Sequence, residues 1–259
     1  MTAGVAGVLS GRTAIVTGAG RGIGQATAVA LAQAGVTDIA LIARTASQLD
    51  ATAQRVEQAG ARAHVITADL MDAAQVSATA EAASRLLGRV DVLINNAGTV
   101  APLGPTAEQP PEAILDAFRL NTLAPTLFAS AVIPGMVANG WGRVVNVSSG
   151  IVARPAGMIG GSTYAATKAA LEAQTISMAA EFADTGVTIN AYRPGAVDTA
   201  MPEWIRAQDP DRIGHALHAR FVDSYDSGTL LTPDASAAAL VAHLSREVTG
   251  RIWDVTDQD

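Results

Sequence analysis

A tyrosine and a lysine stand four residues apart in the stretch TYAATKAAL, at Tyr164 and Lys168. The surrounding alanines and threonines suit the inside of a helix, and residues i and i+4 of a helix lie on one face. The ammonium would then lie near the phenol and lower the pKa of the tyrosine, which could act as a general acid or base. Taken alone, the pair also fits an amphipathic helix with one tyrosine and one lysine that extends into solvent.

A second candidate site follows the first predicted strand. The stretch TGAGRGIG, residues 17–24, places glycines between the strand RTAIVTG and a predicted helix over residues 23–35. Such a turn lets the backbone approach a pyrophosphate, toward which the helix N–H groups point. The alternative is a turn that only packs helix against strand. A P-loop is not indicated, because no Gly-Lys-Ser/Thr follows.

Short apolar runs alternate with alanine-rich helical stretches along the chain. Such strands predict an α/β fold with a mostly parallel sheet of seven strands and helices on both faces. We expect one doubly wound Rossmann-type domain over residues 1–259. A helical pattern begins at Pro111 and runs toward Asn139, where Pro125 and Pro134 are expected to bend or end it. Residues 200–231 are predicted to be an irregular substrate loop.

Open α/β sheets bind ligands at the carboxyl ends of their strands. In this chain those ends are rich in polar residues and glycine: Gly18, Arg44, Asp69, residues 95–98, residues 148–149 and residues 194–195. The sequence therefore predicts one site along one edge of the sheet.

Composition excludes several classes of protein. The 259 residues are 49% hydrophobic and carry a formal net charge of −7, which predicts a sizeable core and no binding of nucleic acid or anionic membrane. There is no cysteine, and the four histidines are scattered, so we predict no metal site; His215 and His218 could share a helix face but lack a third ligand. With no apolar run of about 18 residues and no basic leader, we expect a cytoplasmic protein.

Several motifs occur in the order and approximate spacing of the classical short-chain dehydrogenase/reductase family, which the chain resembles from Gly11 to about Val255. They are TGAGRGIG, NNAG at Asn95, RLN ending at Asn121, NVSS ending at Ser149, YAATK and RPGAVDT. The resemblance implies an oxidoreductase that moves hydride between a nicotinamide cofactor and a carbonyl or secondary alcohol. Members commonly pair two long helices across a two-fold axis, so we expect a homotetramer, or at least a dimer.

The resemblance also implies roles for catalytic residues. Tyr164 would exchange a proton with the substrate oxygen, and Ser149 would polarise that oxygen, with Ser148 as the other choice. Lys168 would lower the tyrosine pKa and hold ribose hydroxyls, and Asn121 would position a water behind it. The segment between Ser149 and Tyr164 is slightly longer than in common members, which leaves the choice of serine open.

The cofactor would lie across the sheet edge. Asp69 would hold the adenine, Asn95 would lie against the adenosine side, and residues 194–199 would flank the nicotinamide, with Thr199 near its carboxamide. The implied cofactor-binding residues are Gly18, Arg21, Gly22, Ile23, Gly24, Arg44, Thr45, Asp69, Leu70, Asn96, Ala97, Gly98, Tyr164, Lys168, Pro194, Gly195, Val197 and Thr199.

The end of the second strand, LIART, predicts a preference for NADP(H), with NAD(H) possible. Ala43 stands where an acidic residue would bind the ribose 2′-hydroxyl, and Arg44 follows it. Arg21, Thr45 and Ser47 could add contacts to a 2′-phosphate. The alternative is that both arginines only project into solvent.

Other functions remain open on this fold. A non-catalytic NAD(P)-binding sensor would not need the proton-transferring residues, and a sugar-nucleotide epimerase or dehydratase belongs to a longer branch.

We expect an apolar substrate, because apolar residues occupy the predicted pocket loops, with Arg154 as the one charge. These residues are Val100, Ile151, Val152, Met158, Ile159 and Trp204.

Overall fold

A seven-stranded parallel sheet forms the centre of the protein. The computed structural model describes residues 3–257. In these residues the strand order is β3-β2-β1-β4-β5-β6-β7, so the chain starts in the middle and winds outward in both directions, as predicted. The strands are β1 (Thr13–Thr17), β2 (Asp38–Ala43), β3 (Arg62–Thr67), β4 (Val92–Asn95), β5 (Gly142–Val147), β6 (Val187–Arg193) and β7 (Ile252–Asp254).

Helices cover both faces of the sheet, because successive strand residues point to opposite sides. Val16 packs with α2 (Gly22–Gln33), α3 (Ala46–Gln58) and α11 (Pro233–His243), whereas Ile15 packs with the helices of the other face. That other layer consists of α4 (Ala73–Leu87), α6 (Ala124–Ala138) and α7 (Ser162–Glu181). The remaining helices are α1 (Ala3–Leu9), α5 (Pro111–Phe118), α8 (Ala200–Arg206), α9 (Pro210–Ile213) and α10 (His215–Asp226).

The predicted helix over residues 111–139 is interrupted by a π-helical turn at Arg119–Leu123. Pro125 follows this turn and has no N–H for the carbonyl of Asn121, which accounts for the wider turn. Pro134 lies inside α6, which continues to Ala138, so it does not end the helix. Of the described residues, only Pro111–Ala138 is long and apolar enough to cross a membrane, and 56% of its apolar window is buried in protein.

Residues 200–231 are mostly helical, so the prediction of an irregular loop was wrong. Helices α8, α9 and α10 lie in this segment and contribute Ile205, Ile213 and Leu217 to a small core. They are short, and Leu217 is the one buried residue of α10. Their sparse apolar pattern is too weak to predict helices. The small core also contains Tyr164, so this segment packs against the candidate site.

Candidate active site

A cavity of about 860 Å³ opens at the carboxyl edge of the sheet. The glycine turn after β1 lies at one side, Tyr164 and Lys168 lie at another, and α8 lies across it. Most of the predicted cofactor-binding residues meet here. Those that line the cavity are Gly18, Arg21, Gly22, Ile23, Arg44, Thr45, Asp69, Leu70, Asn96, Ala97, Gly98, Tyr164, Lys168, Pro194 and Thr199.

The glycine turn is closed to larger side chains. Gly18 has φ +65°, and a Cβ there would lie 2.7 Å from Asn96 Nδ2. A Cβ on Gly24 would lie 2.2 Å from the Gly18 carbonyl oxygen, so Gly24 lies behind the cavity and allows α2 to pack against the turn. Because α2 begins at Gly22, its free N–H groups lie beside the cavity, where they suit a phosphate.

Hydrogen bonds join the ends of β1 and β4. The Thr17 hydroxyl accepts from the backbone N–H groups of Asn96 and Ala97 at 3.0 and 3.1 Å. The Asn96 amide donates to the Thr17 carbonyl oxygen at 3.0 Å. The part that Thr17 plays in the site was not predicted, because a threonine at the end of a strand is not distinctive in the sequence.

Asn95 does not line the cavity, which corrects the expectation that it lies against the adenosine side. Its Nδ2 donates to Asn146 Oδ1 at 2.9 Å and to the Pro125 carbonyl oxygen at 3.2 Å. The side chain is 2% exposed and braces β5 and α6. Consecutive strand residues face opposite ways, so Asn96 reaches the cavity and Asn95 does not.

Tyr164 and Lys168 lie on adjacent turns of α7, and both are buried. Lys168 Nζ donates to the Val147 carbonyl oxygen at 2.8 Å. Burial raises the pKa of Tyr164, although a hydrogen bond with Ser149 acts in the opposite direction. Burial lowers the pKa of Lys168 to about 8, and the Glu172 carboxylate opposes this change. The expected lowering of the tyrosine pKa is therefore not present in the chain alone, because burial outweighs the opposing effect of Ser149.

The two serines after β5 have different partners. Ser149 is half-buried, does not line the cavity and accepts from the Ile151 N–H at 3.4 Å. Its hydroxyl acts to lower the pKa of Tyr164. Ser148 lines the cavity, but its hydroxyl donates to Glu172 Oε1 at 2.7 Å. Because the Ser148 hydroxyl is engaged by Glu172, Ser149 is the serine left free to act with the tyrosine.

Asn121 lies behind Lys168 and does not line the cavity. Its Oδ1 accepts from the Thr99 N–H at 2.8 Å, and its Nδ2 donates to the Thr99 carbonyl oxygen at 2.8 Å and to Thr167 Oγ1 at 3.0 Å. A Cβ on Gly98 would lie 3.1 Å from Asn121 Oδ1 and 3.4 Å from Lys168 Nζ. Asn121 thus connects the loop after β4 to α7 beside the lysine.

The segment after β6 divides between cavity and core. Pro194 and Thr199 line the cavity, and a Cβ on Gly22 would lie 3.2 Å from Thr199 Cγ2. Gly195 has φ +78° and packs against Val255, and Val197 is buried. Neither Gly195 nor Val197 lines the cavity, so both shape the loop from behind.

The cavity has further lining residues that sequence reasoning did not assign to it. Their positions depend on how α3 and α8 pack over the sheet edge, which no local pattern reveals. They include Gly20, Gln48, Met71, Thr99, Glu203 and Ala207. Of the expected substrate-loop residues, Val100 and Trp204 line the cavity, Ile151, Val152 and Met158 belong to the small core, and Ile159 is 69% exposed.

Two arginines carry positive charge on the glycine-turn side of the cavity, Arg44 directly after β2 and Arg21 in the glycine turn. Arg44 and Arg21 are exposed at the cavity. Among residues 3–257 neither of them has a carboxylate partner within ion-pair distance. Asp69 has one oxygen engaged, because Oδ1 accepts from the Met71 N–H at 3.1 Å. With the glycine turn, these residues fit a phosphate-bearing dinucleotide.

The chain belongs to the short-chain dehydrogenase family, whose family model matches residues 12–210. The fold and the motif spacing agree with this assignment. The resemblance noted in the sequence is confirmed.

Among the described residues there is no group of three or more His, Cys, Asp or Glu side chains that could hold a metal ion.

Named relatives extend the comparison. The chain is 35% identical over 246 residues to a candidate ketoacyl reductase of the monensin polyketide synthase from Streptomyces virginiae, covering 93% of this chain and 92% of that one. It is 36% identical over 214 residues to the oxidoreductase UcpA from Escherichia coli K12, covering 80% and 79% of the two chains.

A solved structure shares the fold closely. It is a candidate NAD(P)-dependent gluconate 5-dehydrogenase from Beutenbergia cavernae with NADP bound at low occupancy, 32% identical with a TM-score of 0.83, covering 95% of this chain and 96% of that one. The protein is thus an oxidoreductase of CH–OH and C=O groups that uses a nicotinamide cofactor and a small-molecule substrate.

Proposed function

We propose that the protein is an NADP(H)-dependent reductase or dehydrogenase in which Tyr164 exchanges a proton with the substrate oxygen. One observation carries the proposal: Tyr164 and Lys168 line the same cavity as the glycine turn and Arg44. A site for a reacting oxygen and a site for a phosphorylated cofactor thus share one space.

The chain's own residues supply the proton and the polarity. When bound, the nicotinamide supplies or accepts the hydride. In the reductive direction the Tyr164 hydroxyl donates its proton to the substrate oxygen, while the Ser149 hydroxyl stabilises the charge that develops there. Lys168, one turn along α7, carries a positive charge near the phenolate that forms, and its bond to the Val147 carbonyl oxygen orients it.

The preference for NADP(H) rests on charge at the end of β2. Position 43 is an alanine, so no carboxylate there would repel a 2′-phosphate. The guanidiniums of Arg44 and Arg21 are exposed beside the cavity. Guanidinium groups form charge-assisted hydrogen bonds to the 2′-phosphate of NADP(H), and these bonds are stronger than those to the neutral ribose 2′-hydroxyl of NAD(H).

The substrate is proposed to be apolar around its reacting carbon. Val100, Ala101, Met201 and Trp204 line the cavity, and Val100 and Met201 also pack in the small core that contains Tyr164. Arg154, the expected exception, is exposed and is not part of the lining. An apolar wall favours substrates that bury hydrocarbon next to the carbonyl.

The test of the proposal is Tyr164→Phe, assayed with NADPH against a broad panel of apolar ketones and aldehydes. Loss of the phenolic oxygen should lower kcat by about 100-fold or more, the usual scale of general acid catalysis, while NADPH binding survives. Tyr225→Phe is the matched control, because Tyr225 is exposed outside the cavity and its ring contact with Arg206 is retained. Near-wild-type turnover by Tyr164→Phe would exclude this role. A wild type that binds NADPH but converts no member of the panel would favour a sensor.

A further inference from the structure

A buried ion-pair cluster lies behind the catalytic end of the cavity. Glu172, one turn beyond Lys168 on α7, is 4% exposed. Arg193 at the end of β6 donates from Nε to Glu172 Oε1 and from Nη2 to Oε2, both at 2.8 Å. Ser148 donates its hydroxyl to Oε1 at 2.7 Å. One carboxylate therefore joins the carboxyl ends of β5 and β6 to α7.

Ser148 lies between Val147, which binds Lys168, and Ser149, the proposed partner of Tyr164. The carbonyl oxygen of Val147 accepts from Lys168 Nζ at 2.8 Å, and Ser149 is the serine proposed above to act with Tyr164. Any shift of Ser148 moves both of these contacts. A bond from its hydroxyl to a buried carboxylate is charge-assisted and strong, so it is a firm anchor for residues 147–149.

We propose that Glu172 is a positioning residue: together with Arg193 it holds Ser148, and it thereby fixes the segment on which Lys168 and Ser149 both depend. This inference rests on the proposed function, since it concerns the same proton-transfer site. An ion pair that only stabilised the fold could join β6 to α7 through Arg193 alone. The additional bond to Ser148 links the pair to the site.

Glu172 also acts on Lys168 through its charge. Its carboxylate raises the pKa of the lysine, against the larger effect of burial. The other charged or titratable groups around this point are Tyr164 on α7, Arg193 on β6 and Asp254 on β7, which lies 3.6 Å from Arg193. Lys168 is the only lysine in the chain, so ¹³C-labelled lysine gives a single side-chain signal whose titration can be followed by NMR.

The experiment compares Ser148→Ala, Glu172→Gln and Asp91→Asn. Asp91 is the matched control: it is 1% exposed and paired with Arg12 and Arg89, but it immediately precedes β4, at the opposite edge of the sheet. Ser148→Ala should lower kcat about tenfold or more with the KM for cofactor nearly unchanged, because small misplacements of reacting groups are costly. Glu172→Gln should also lower kcat and move the Lys168 titration to lower pH. Asp91→Asn should lose stability only.

Wild-type kcat in both site variants, or an equal loss of kcat in Asp91→Asn, would overturn the positioning role. If Glu172→Gln does not fold, Ser148→Ala decides the matter, because it retains the ion pair. Tyr164→Phe assayed in parallel separates the two proposals. Full turnover by Tyr164→Phe refutes the proposed chemistry, whereas an inactive Tyr164→Phe beside fully active Ser148→Ala and Glu172→Gln refutes only the positioning role.

Discussion

Tyr164 and Lys168 are buried ionisable side chains, and burial acts on their pKa values in opposite directions. It raises the pKa of the tyrosine and lowers that of the lysine to about 8, because the neutral form of each is favoured where water is excluded. A positive nicotinamide ring in the cavity would favour the phenolate and oppose the effect of burial on Tyr164. Burial in the folded chain therefore affects the pKa values of Tyr164 and Lys168 more than their four-residue spacing does.

Burial of the lysine charge should make stability depend on pH. Below about pH 8 Lys168 is protonated in both the folded and the unfolded chain, and the buried charge is destabilising. Between about pH 8 and 10.5 the unfolded chain binds the extra proton, so the contribution of this group to stability rises with pH. Lys168→Met should therefore raise the free energy of unfolding by about 1–2 kcal/mol at pH 7, after loss of the bond to Val147.

The measurement is urea denaturation of the cofactor-free protein at pH 7 and pH 10. The advantage of Lys168→Met over wild type should shrink toward pH 10. Lys168→Arg is the control, because a guanidinium stays charged and should be destabilising at both pH values. A difference between Lys168→Met and wild type that does not change with pH would contradict a buried, titrating lysine.

Arg44 allows a separate test of cofactor choice. Arg44→Asp replaces an exposed guanidinium at the cavity with a carboxylate that repels a 2′-phosphate. The ratio of kcat/KM for NADPH to that for NADH should fall by about tenfold or more, the equivalent of one charge-assisted hydrogen bond. Arg251→Asp, which makes the same charge change at an exposed site outside the cavity lining, should leave the ratio unchanged. A wild type that favours NADH would contradict the assignment.

At the scale of elements, two loops on the substrate side of the cavity are joined by a buried amide, in addition to the backbone bond from the Gly104 N–H to the Gly160 carbonyl oxygen at 2.9 Å. Gln109 Nε2 donates to the carbonyl oxygens of Gly104 and Gly160 at 3.0 and 3.4 Å, and its Oε1 accepts from the Thr163 hydroxyl. The loop after β4 is therefore tied to the loop that leads into α7. Both loops contribute to the small core around Tyr164.

Gln109→Ala should loosen both loops while the sheet edge stays intact. We expect the KM for the carbonyl substrate to rise several-fold, on the order of 3- to 10-fold, because about 1–3 kcal/mol of buried hydrogen bonding is lost. The KM for NADPH should change little. Steady-state kinetics with each substrate varied in turn measures the effect, and Gln58→Ala, at the exposed end of α3, is the control. An unchanged carbonyl KM would show that the amide does not shape the pocket.

The elements differ in how far the sequence alone could predict them. The strands were predictable because each is a short apolar run between helices, and their polar ends placed the site on one edge. Helices α8 to α10 were not, because they bury few residues each. The Glu172 cluster was also beyond prediction: its members are brought together only by the order of β5 and β6 in the sheet and by the packing of α7.

For the whole molecule, exposed apolar side chains suggest a further layer of assembly. Leu115 on α5, Leu123 in the π-helical turn and Ile176 on α7 are 49%, 41% and 45% exposed. These elements contact one another, so the three exposed side chains belong to neighbouring elements, whose outer surface we call the α5–α7 flank. Apolar surface shared by neighbouring helices is typical of a buried subunit contact. We propose that this flank pairs copies of the chain in a dimer or tetramer.

Light scattering at micromolar concentration tests this assembly. The wild type should have at least twice the mass of one 26.3 kDa chain. A double variant with Leu123→Arg and Ile176→Arg should have a mass closer to that of a single chain, because assembly would bury two unpaired charges in each copy. Leu86→Arg is the matched control, since Leu86 is 55% exposed on α4, which is not one of the elements of this flank. The Leu86→Arg variant should have the same mass as wild type. The site residues lie at the sheet edge, so a folded monomeric variant should still bind NADPH. A wild type that runs as a monomer, or a double variant with unchanged mass, would show that this flank is not a contact between copies.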